Sequence, residues 1–253
     1  MSRWWQAGIF LVAGALVVPP AAGQEAARSS VAAAVKARLE RDLAAFVPRR
    51  QEAPRLLAGV AGVWVLTRLD RRPSRDFADS APGGLSSLEP LGRFGVGNAL
   101  GASFLAVGLA TGEKKVASRG VAFVEANLLA SWLVAGLQNL TGRARPWQAH
   151  AGDFGRGGSS FPSAHAAHAF AWAGVLWGSY PEFKARWVFP VLASGVALSR
   201  VKERQHFFAD VVAGAGIGWW LGSRLGASAV GANKLPVAVM AGPRAVFVRV
   251  VLP

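Results

Sequence analysis

At 253 residues, with 52% hydrophobic and 17% charged positions and a mean hydropathy of +0.31, the chain is more apolar than an ordinary soluble domain and belongs in or beside a membrane, as one domain. The formal charge is +14, but the basic residues are scattered through short inter-helix segments with no aromatic–basic stripe, which argues against nucleic acid and for anionic lipid headgroups or phosphorylated substrates. Cysteine is absent, so disulfides and thiolate metal sites are excluded.

In residues 1–23, Arg3 precedes an apolar run from Ala7 to Val18 and then Pro19-Pro20-Ala21-Ala22-Gly23. This reads as a signal peptide or an uncleaved anchor helix. Over 24–53, Val31, Val35, Leu39, Leu43 and Phe46 fall on one helical face. That predicts an amphipathic helix, lying on a membrane or packed on the core.

Residues 54–226 read as an all-α domain with six apolar segments, at about 55–68, 93–111, 119–138, 164–180, 187–199 and 208–226. Several are shorter than the roughly 20 apolar residues a bilayer span needs. Gly97-x3-Gly101, Gly214-x3-Gly218 and Gly218-x3-Gly222 permit close helix approach. Arg71-Arg72-Pro73 through Gly84 reads as an exposed loop that overhangs the site and helps select substrate. In the tail, 227–253, valine-rich Leu235–Met240 and Ala245–Leu252 flank Ala241-Gly242-Pro243-Arg244 and predict two short strands joined by a turn.

Three blocks carry the chemistry: Gln138-Asn139-Leu140-Thr141-Gly142-Arg143-Ala144-Arg145-Pro146, Phe161-Pro162-Ser163-Ala164-His165, and Ser199-Arg200 followed by His206 and Asp210. A phosphoryl group in transit spreads negative charge over its equatorial oxygens, and Arg145 and Arg200 offer permanently charged forks to match them. Ser163 precedes the apolar run Ala166–Trp177, so it is a natural N-cap whose following N–H groups form an anion site. One neutral imidazole attacks phosphorus and a second, protonated one serves the leaving oxygen. His206 and Asp210 are four apart, so on one helical turn the carboxylate would hold the imidazole tautomer. These parts fit hydrolysis of a phosphate monoester or anhydride through a phosphohistidine. His150 and His168 fall outside the blocks and read as structural. No His/Asp/Glu cluster has metal-ligand spacing, and this chemistry needs no metal or other cofactor.

The blocks resemble the type 2 phosphatidic acid phosphatase (PAP2) superfamily, which also contains bacterial acid phosphatases and vanadium haloperoxidases. Its pattern is Lys-x6-Arg-Pro, then Pro-Ser-Gly-His, then Ser-Arg-x5-His-x3-Asp. The third block matches throughout, Ala164 replaces the glycine of the second, and Gln138 replaces the lysine of the first. The resemblance implies a six-helix bundle, membrane-embedded, with all three blocks at one end. It implies His206 as nucleophile, His165 as general acid, Asp210 as the partner of His206, and Arg145, Arg200, Ser163, Ala164 and Gln138 around the phosphate. Gln138 removes a full charge from that shell, and the nearby Arg143 is a candidate replacement.

The expected activity is release of phosphate from a lipid phosphate or diphosphate of the phosphatidic acid, phosphatidylglycerol phosphate or polyprenyl diphosphate class. The competing readings are a catalytically weakened phospholipid-binding homologue, motivated by Gln138, and a vanadium-dependent haloperoxidase. Lys114-Lys115 and Lys184/Arg186 lie in loops opposite the site, so the positive-inside rule places the site on the periplasmic face of a bacterial inner membrane. Counted backwards, the first of the six segments then starts inside, in conflict with a cleaved signal. A soluble periplasmic bundle removes the conflict.

Overall fold

The computed structural model describes Glu40, residues 50–230 and the backbone of 238–242 and 245–249. The signal or anchor read in 1–23 and nearly all of the amphipathic segment 24–53 lie outside the described residues. Among residues 50–230, seven α-helices follow one another: α1 (Ala53–Leu69), α2 (Arg71–Ser80), α3 (Phe94–Thr111), α4 (Lys114–Thr141), α5 (Ala164–Ser179), α6 (Val188–Lys202) and α7 (Phe208–Val230). 3-10 turns at Gly83–Gly92 and Lys184–Trp187 link α2 to α3 and α5 to α6. Strands β1 (Ala238–Gly242) and β2 (Ala245–Arg249) pair antiparallel, with Met240 opposite Phe247.

Local chemistry sets the ends of these helices. Pro54 opens α1 in the first turn, where its missing N–H has no helical acceptor anyway. Gly112 and Gly142 close α3 and α4 in the left-handed region, at φ 73° and 56°, a conformation that disfavours a Cβ. Ser163 caps α5 and accepts from the Ala166 N–H. The segment read as an exposed loop from Arg71 is helical instead: Pro73 falls in the first turn of α2, where it is tolerated, and Ser74 and Ala78 are buried against the bundle.

The core lies between α4, α5 and α7 and is built largely of alanine, with Phe123, Val134, Val175, Leu221 and Leu225 filling the gaps. Small residues make it possible. Gly214, Gly218, Gly222 and Gly226 form one stripe on α7, and a Cβ added to them would sit 2.0–2.3 Å from the carbonyl oxygens of Ser163, Ala167, Ala171 and Val175 on α5. The two backbones are therefore in direct contact. Gly101 admits Val124 and Gly120 of α4 against α3 in the same way. Trp172 ties the preceding 3-10 turn to α5 through its indole N–H, 3.2 Å from the Leu91 carbonyl.

The outer surface is also apolar. Leu57, Val60, Trp64 and Leu69 of α1, Trp132 and Leu140 of α4, and Trp187 and Val191 are exposed. Among the described residues two helices, α3 and α4, are long and apolar enough to cross a membrane. α5 has 16 residues, so at ~1.5 Å per residue it falls short of a ~30 Å hydrocarbon core.

Candidate active site

The C-terminal end of α4 and the N-terminal ends of α5 and α7 meet at one end of the bundle. After Gly142 the chain is held as a loop: the Ala144 N–H donates to the Asp153 carbonyl at 2.8 Å, and the Gly152 N–H returns to the Ala144 carbonyl at 3.1 Å. Arg145 leaves this loop and donates to Gln205 Oε1 at 2.8 Å and Ser159 Oγ at 3.3 Å. It thus lies against the residue before His206. Burial and the neighbouring Arg200 both push the Arg145 pKa down.

Ser163 is fully buried. Its N–H donates to the Asp210 carbonyl at 2.9 Å, which welds the start of α5 to α7. The N–H groups of Ala164 and His165 follow in the first turn, where a helix supplies no acceptor. Gln138 donates its side-chain amide to the Pro162 carbonyl at 2.9 Å, so it props up the cap of α5 from below.

His206 sits in the turn between α6 and α7, where the N–H groups of Gln205 and His206 share the Arg200 carbonyl at 3.0 and 3.2 Å. Its imidazole is 3% exposed. The Nδ1–H donates to the Ser160 carbonyl at 2.7 Å, whereas the nearest Asp210 oxygen is 3.7 Å away. The direct hydrogen-bond partner expected at Asp210 is therefore Ser160. The i,i+4 argument assumed one helix, but α7 begins only at Phe208. The tautomer is the same either way: Nδ1 carries the proton and Nε2 keeps its lone pair. Burial holds the imidazole pKa below its ordinary value, against the pull of Asp210, so the ring is neutral at pH 7.

Asp210 has other work. It accepts from Ser160 Oγ at 2.6 Å, from the Phe207 N–H at 2.8 Å and from the Arg143 guanidinium at 2.6 Å. Arg143 is wholly buried and also donates to Asp70 at 2.9 Å. Burial opposes its charge, but Asp210 and Asp70 outweigh that and raise its pKa. Arg143 therefore does not replace the charge missing at Gln138: both its anions are internal. Asp70 completes the frame by accepting from the Ala209 N–H at 3.0 Å, while Ser74 Oγ accepts from the Phe208 N–H at 3.0 Å. The α1–α2 junction thus caps α7 beside the turn that carries His206.

On the other wall, His165 Nε2 donates to Glu89 Oε1 at 2.8 Å. Burial and the Arg200 charge lower the His165 pKa to about 4, and Glu89 pulls the other way. Glu89 itself stays below the usual carboxylate value: burial would raise it, but Arg93 and His165 prevail. Arg200 is paired with Glu203 and lies 3.8 Å from Glu89. Its Nε is buried with no acceptor. A donor left orphaned in this way is costly unless something else binds it.

All eight residues expected at the site lie at this end of the bundle, and His165, His206, Arg145 and Arg200 are close enough to influence one another electrostatically. Glu89, Asp70, Ser160 and the structural role of Arg143 were not foreseen. The first two are lone acids bounding apolar stretches, a weak signal by itself. Among the described residues no cluster has the makings of a metal site. His168 bonds Ser131 at 2.9 Å inside the core, and His150 lies on the surface beside Asp153.

The family model of the PAP2 superfamily matches residues 119–227, a segment that contains all three blocks. No curated protein and no solved structure matches the chain.

Proposed function

Because the chain belongs to the PAP2 superfamily and is of phosphatase type, we propose that it hydrolyses a lipid phosphate or diphosphate through a phosphohistidine on His206. The observation that carries this reading is the buried, unpartnered Nε of Arg200, whose charge is felt by both His165 and Arg145. A phosphate oxygen is the acceptor it lacks.

The proposed steps use the groups gathered at this end of the bundle. The phosphate is held by Arg145, Arg200, the Ser163 hydroxyl and the Ala164 and His165 N–H groups. The lone pair of His206 Nε2 forms the P–N bond as the P–O bond to the leaving group breaks. His165 gives that oxygen its proton and leaves it as an alcohol or a lipid monophosphate. A dianionic substrate beside His165 raises its pKa from the low value of the free site, so the proton arrives with the substrate. Water then attacks phosphorus with His165 as base, the P–N bond breaks, and phosphate departs. The Ser160 carbonyl holds the His206 ring throughout, and Asp210 holds Ser160 through its hydroxyl.

The substrate class rests on the setting. α3 and α4 have spanning length and composition, and the exposed apolar side chains around the bundle suit contact with acyl chains. The protein then stands in a bacterial inner membrane as a six-helix bundle with the site on the periplasmic side. Lys114, Lys115, Lys184 and Arg186 begin the elements at the far end.

A second reading, a lipid-phosphate binder with weak turnover, is favoured by one contact: the Gln138 amide is committed to the Pro162 carbonyl. Phosphate release by detergent-purified protein from a panel of lipid phosphates and diphosphates separates the two, with His206→Ala as control. The phosphatase reading expects release that falls at least about a thousandfold in the variant. Wild-type release equal to that of the variant, with lipid phosphate still bound, makes the chain a binder.

A further inference from the structure

The end of the bundle opposite the active site gathers cations that the protein leaves unanswered. Lys114 and Lys115 open α4, Arg119 follows one turn on, and the 3-10 turn Lys184–Trp187 brings Lys184 and Arg186 close to the end of α5. Lys115 and Arg119 are four apart and share a face of α4. None of the five has a carboxylate partner among the described residues. Glu52 is taken by Arg224 at 2.6 Å, and the exposed Glu113 and Glu182 pair with none of them. At the active-site end, by contrast, Arg71, Arg93, Arg143, Arg200 and Arg204 all hold carboxylates.

Arg119 is the least satisfied of the five. Its guanidinium lies over the ring of Tyr180, 4.2 Å from the centroid. It donates to the Tyr180 hydroxyl and to the Ser179 carbonyl at 3.3 Å each, long for such bonds. Its Nε is buried and has no acceptor. A buried donor of this kind costs stability unless an anion takes it. Stacked on the ring, the guanidinium keeps its edge N–H groups in one plane, which suits two oxygens of a phosphate. The surrounding surface is amphipathic. Arg186 lies 4.1 Å over the Trp177 ring, and Trp177 meets Trp187 edge-on at 4.6 Å. Trp187, Phe183 and Val188 stay exposed beside Lys184 and Arg186. Cations interleaved with exposed aromatic and apolar side chains match a membrane interface, where phosphate lies next to acyl chain.

We propose that this end of the bundle docks an anionic phospholipid that is not a substrate. Its phosphate takes Arg119 and the lysines around it, and its acyl chains lie on Trp187, Phe183 and Val188. The lipid sits in the leaflet opposite the catalytic His206. This rests on the membrane-embedded reading of the chain and on nothing at the active site.

The test is native mass spectrometry of the detergent-purified full chain, titrated with phosphatidylglycerol and with phosphatidylcholine. The anionic lipid should be retained at about tenfold lower concentration, the worth of one or two cations beside a headgroup. Arg119→Ala should abolish that difference. The exposed pair Lys114→Ala/Lys115→Ala should reduce it, and decides the matter if Arg119→Ala fails to fold. Arg145→Ala, which disarms the active-site phosphate shell, should leave it intact, and millimolar inorganic phosphate should not displace the lipid. Equal retention of the two lipids by the wild type, a difference that survives Arg119→Ala or is undiminished in the lysine pair, its loss in Arg145→Ala, or displacement by phosphate overturns the site. Carbonate extraction of native membranes tests the membrane reading separately. Protein that is extracted yet holds phosphatidylglycerol through Arg119 keeps the site and fells that reading. Protein that resists extraction and shows no Arg119-dependent lipid overturns the site alone.

Discussion

Asp70 and Asp210, one at the joint of α1 and α2 and the other in the first turn of α7, grip the same buried guanidinium of Arg143 at 2.9 and 2.6 Å. All three side chains are closed to solvent. The triad joins the early helices to the catalytic turn, because Asp210 also receives the Phe207 N–H next to His206. Removing one anion leaves the other to balance the charge alone. Asp70→Ala is therefore expected to cost about 3–5 kcal/mol of stability, as for other broken buried pairs. Denaturant melts in detergent check this; a variant as stable as the wild type would show the triad to be idle.

The pairing of Glu89 with His165 predicts a pH effect of definite sign. The carboxylate raises the His165 pKa, although burial and Arg200 prevail and hold it at about 4. Glu89→Gln lowers it further, so the proton for the leaving group is lost earlier as pH rises. The alkaline limb of kcat/KM against pH, which reports the free enzyme, should move to lower pH. The acid limb, set by His206 becoming neutral, should stay in place. A shift of the alkaline limb upward contradicts the assignment.

Gln138 is held under the cap of α5 by the Pro162 carbonyl. Gln138→Lys restores the charge at that position, and kcat/KM should rise by up to about tenfold, the worth of one charge-assisted hydrogen bond. Steady-state kinetics decide it. Unchanged kcat/KM would mean that position 138 is a support and not part of the phosphate shell.

The contact between α5 and α7 makes a paired prediction. A Cβ at Gly218 would lie 2.0 Å from the Ala167 carbonyl oxygen, whereas at Gly216 nothing lies within 4 Å. Gly218→Ala should destabilise by about 1–3 kcal/mol through overpacking. Gly216→Ala, on the same helix, should be neutral or stabilising by up to about 1 kcal/mol. Thermal melts of the two side by side provide the comparison.

Much of this was legible in the sequence because it is local. Apolar segments, the Ser163 cap and the glycine stripe of α7 each follow from residues a few positions apart. The three blocks named residues that meet at one end of the bundle. What escaped depends on distant contacts. Asp70 and Glu89 acquire meaning only when α1–α2 and the 3-10 turn fold over α5 and α7. Arg143 and Arg145, two apart in an irregular loop, go to different places, one into the core and one into the cavity. The polar segment from Arg71 reads as a loop because its helix is held by tertiary capping of α7 and burial of Ser74 and Ala78, not by an apolar stripe. His206 and Asp210 have helical spacing without a shared helix.

The most direct test of the mechanism is to trap the phosphorylated protein. A lipid phosphate with labelled phosphorus is mixed with the enzyme and quenched in alkali, where a P–N bond to imidazole survives and ester-linked phosphate on serine is eliminated. Label stable in alkali and labile in acid, mapped to the peptide carrying His206 and absent from His206→Ala, is the predicted result. Phosphate release at the wild-type rate by His206→Ala, or label on another residue, would contradict the account.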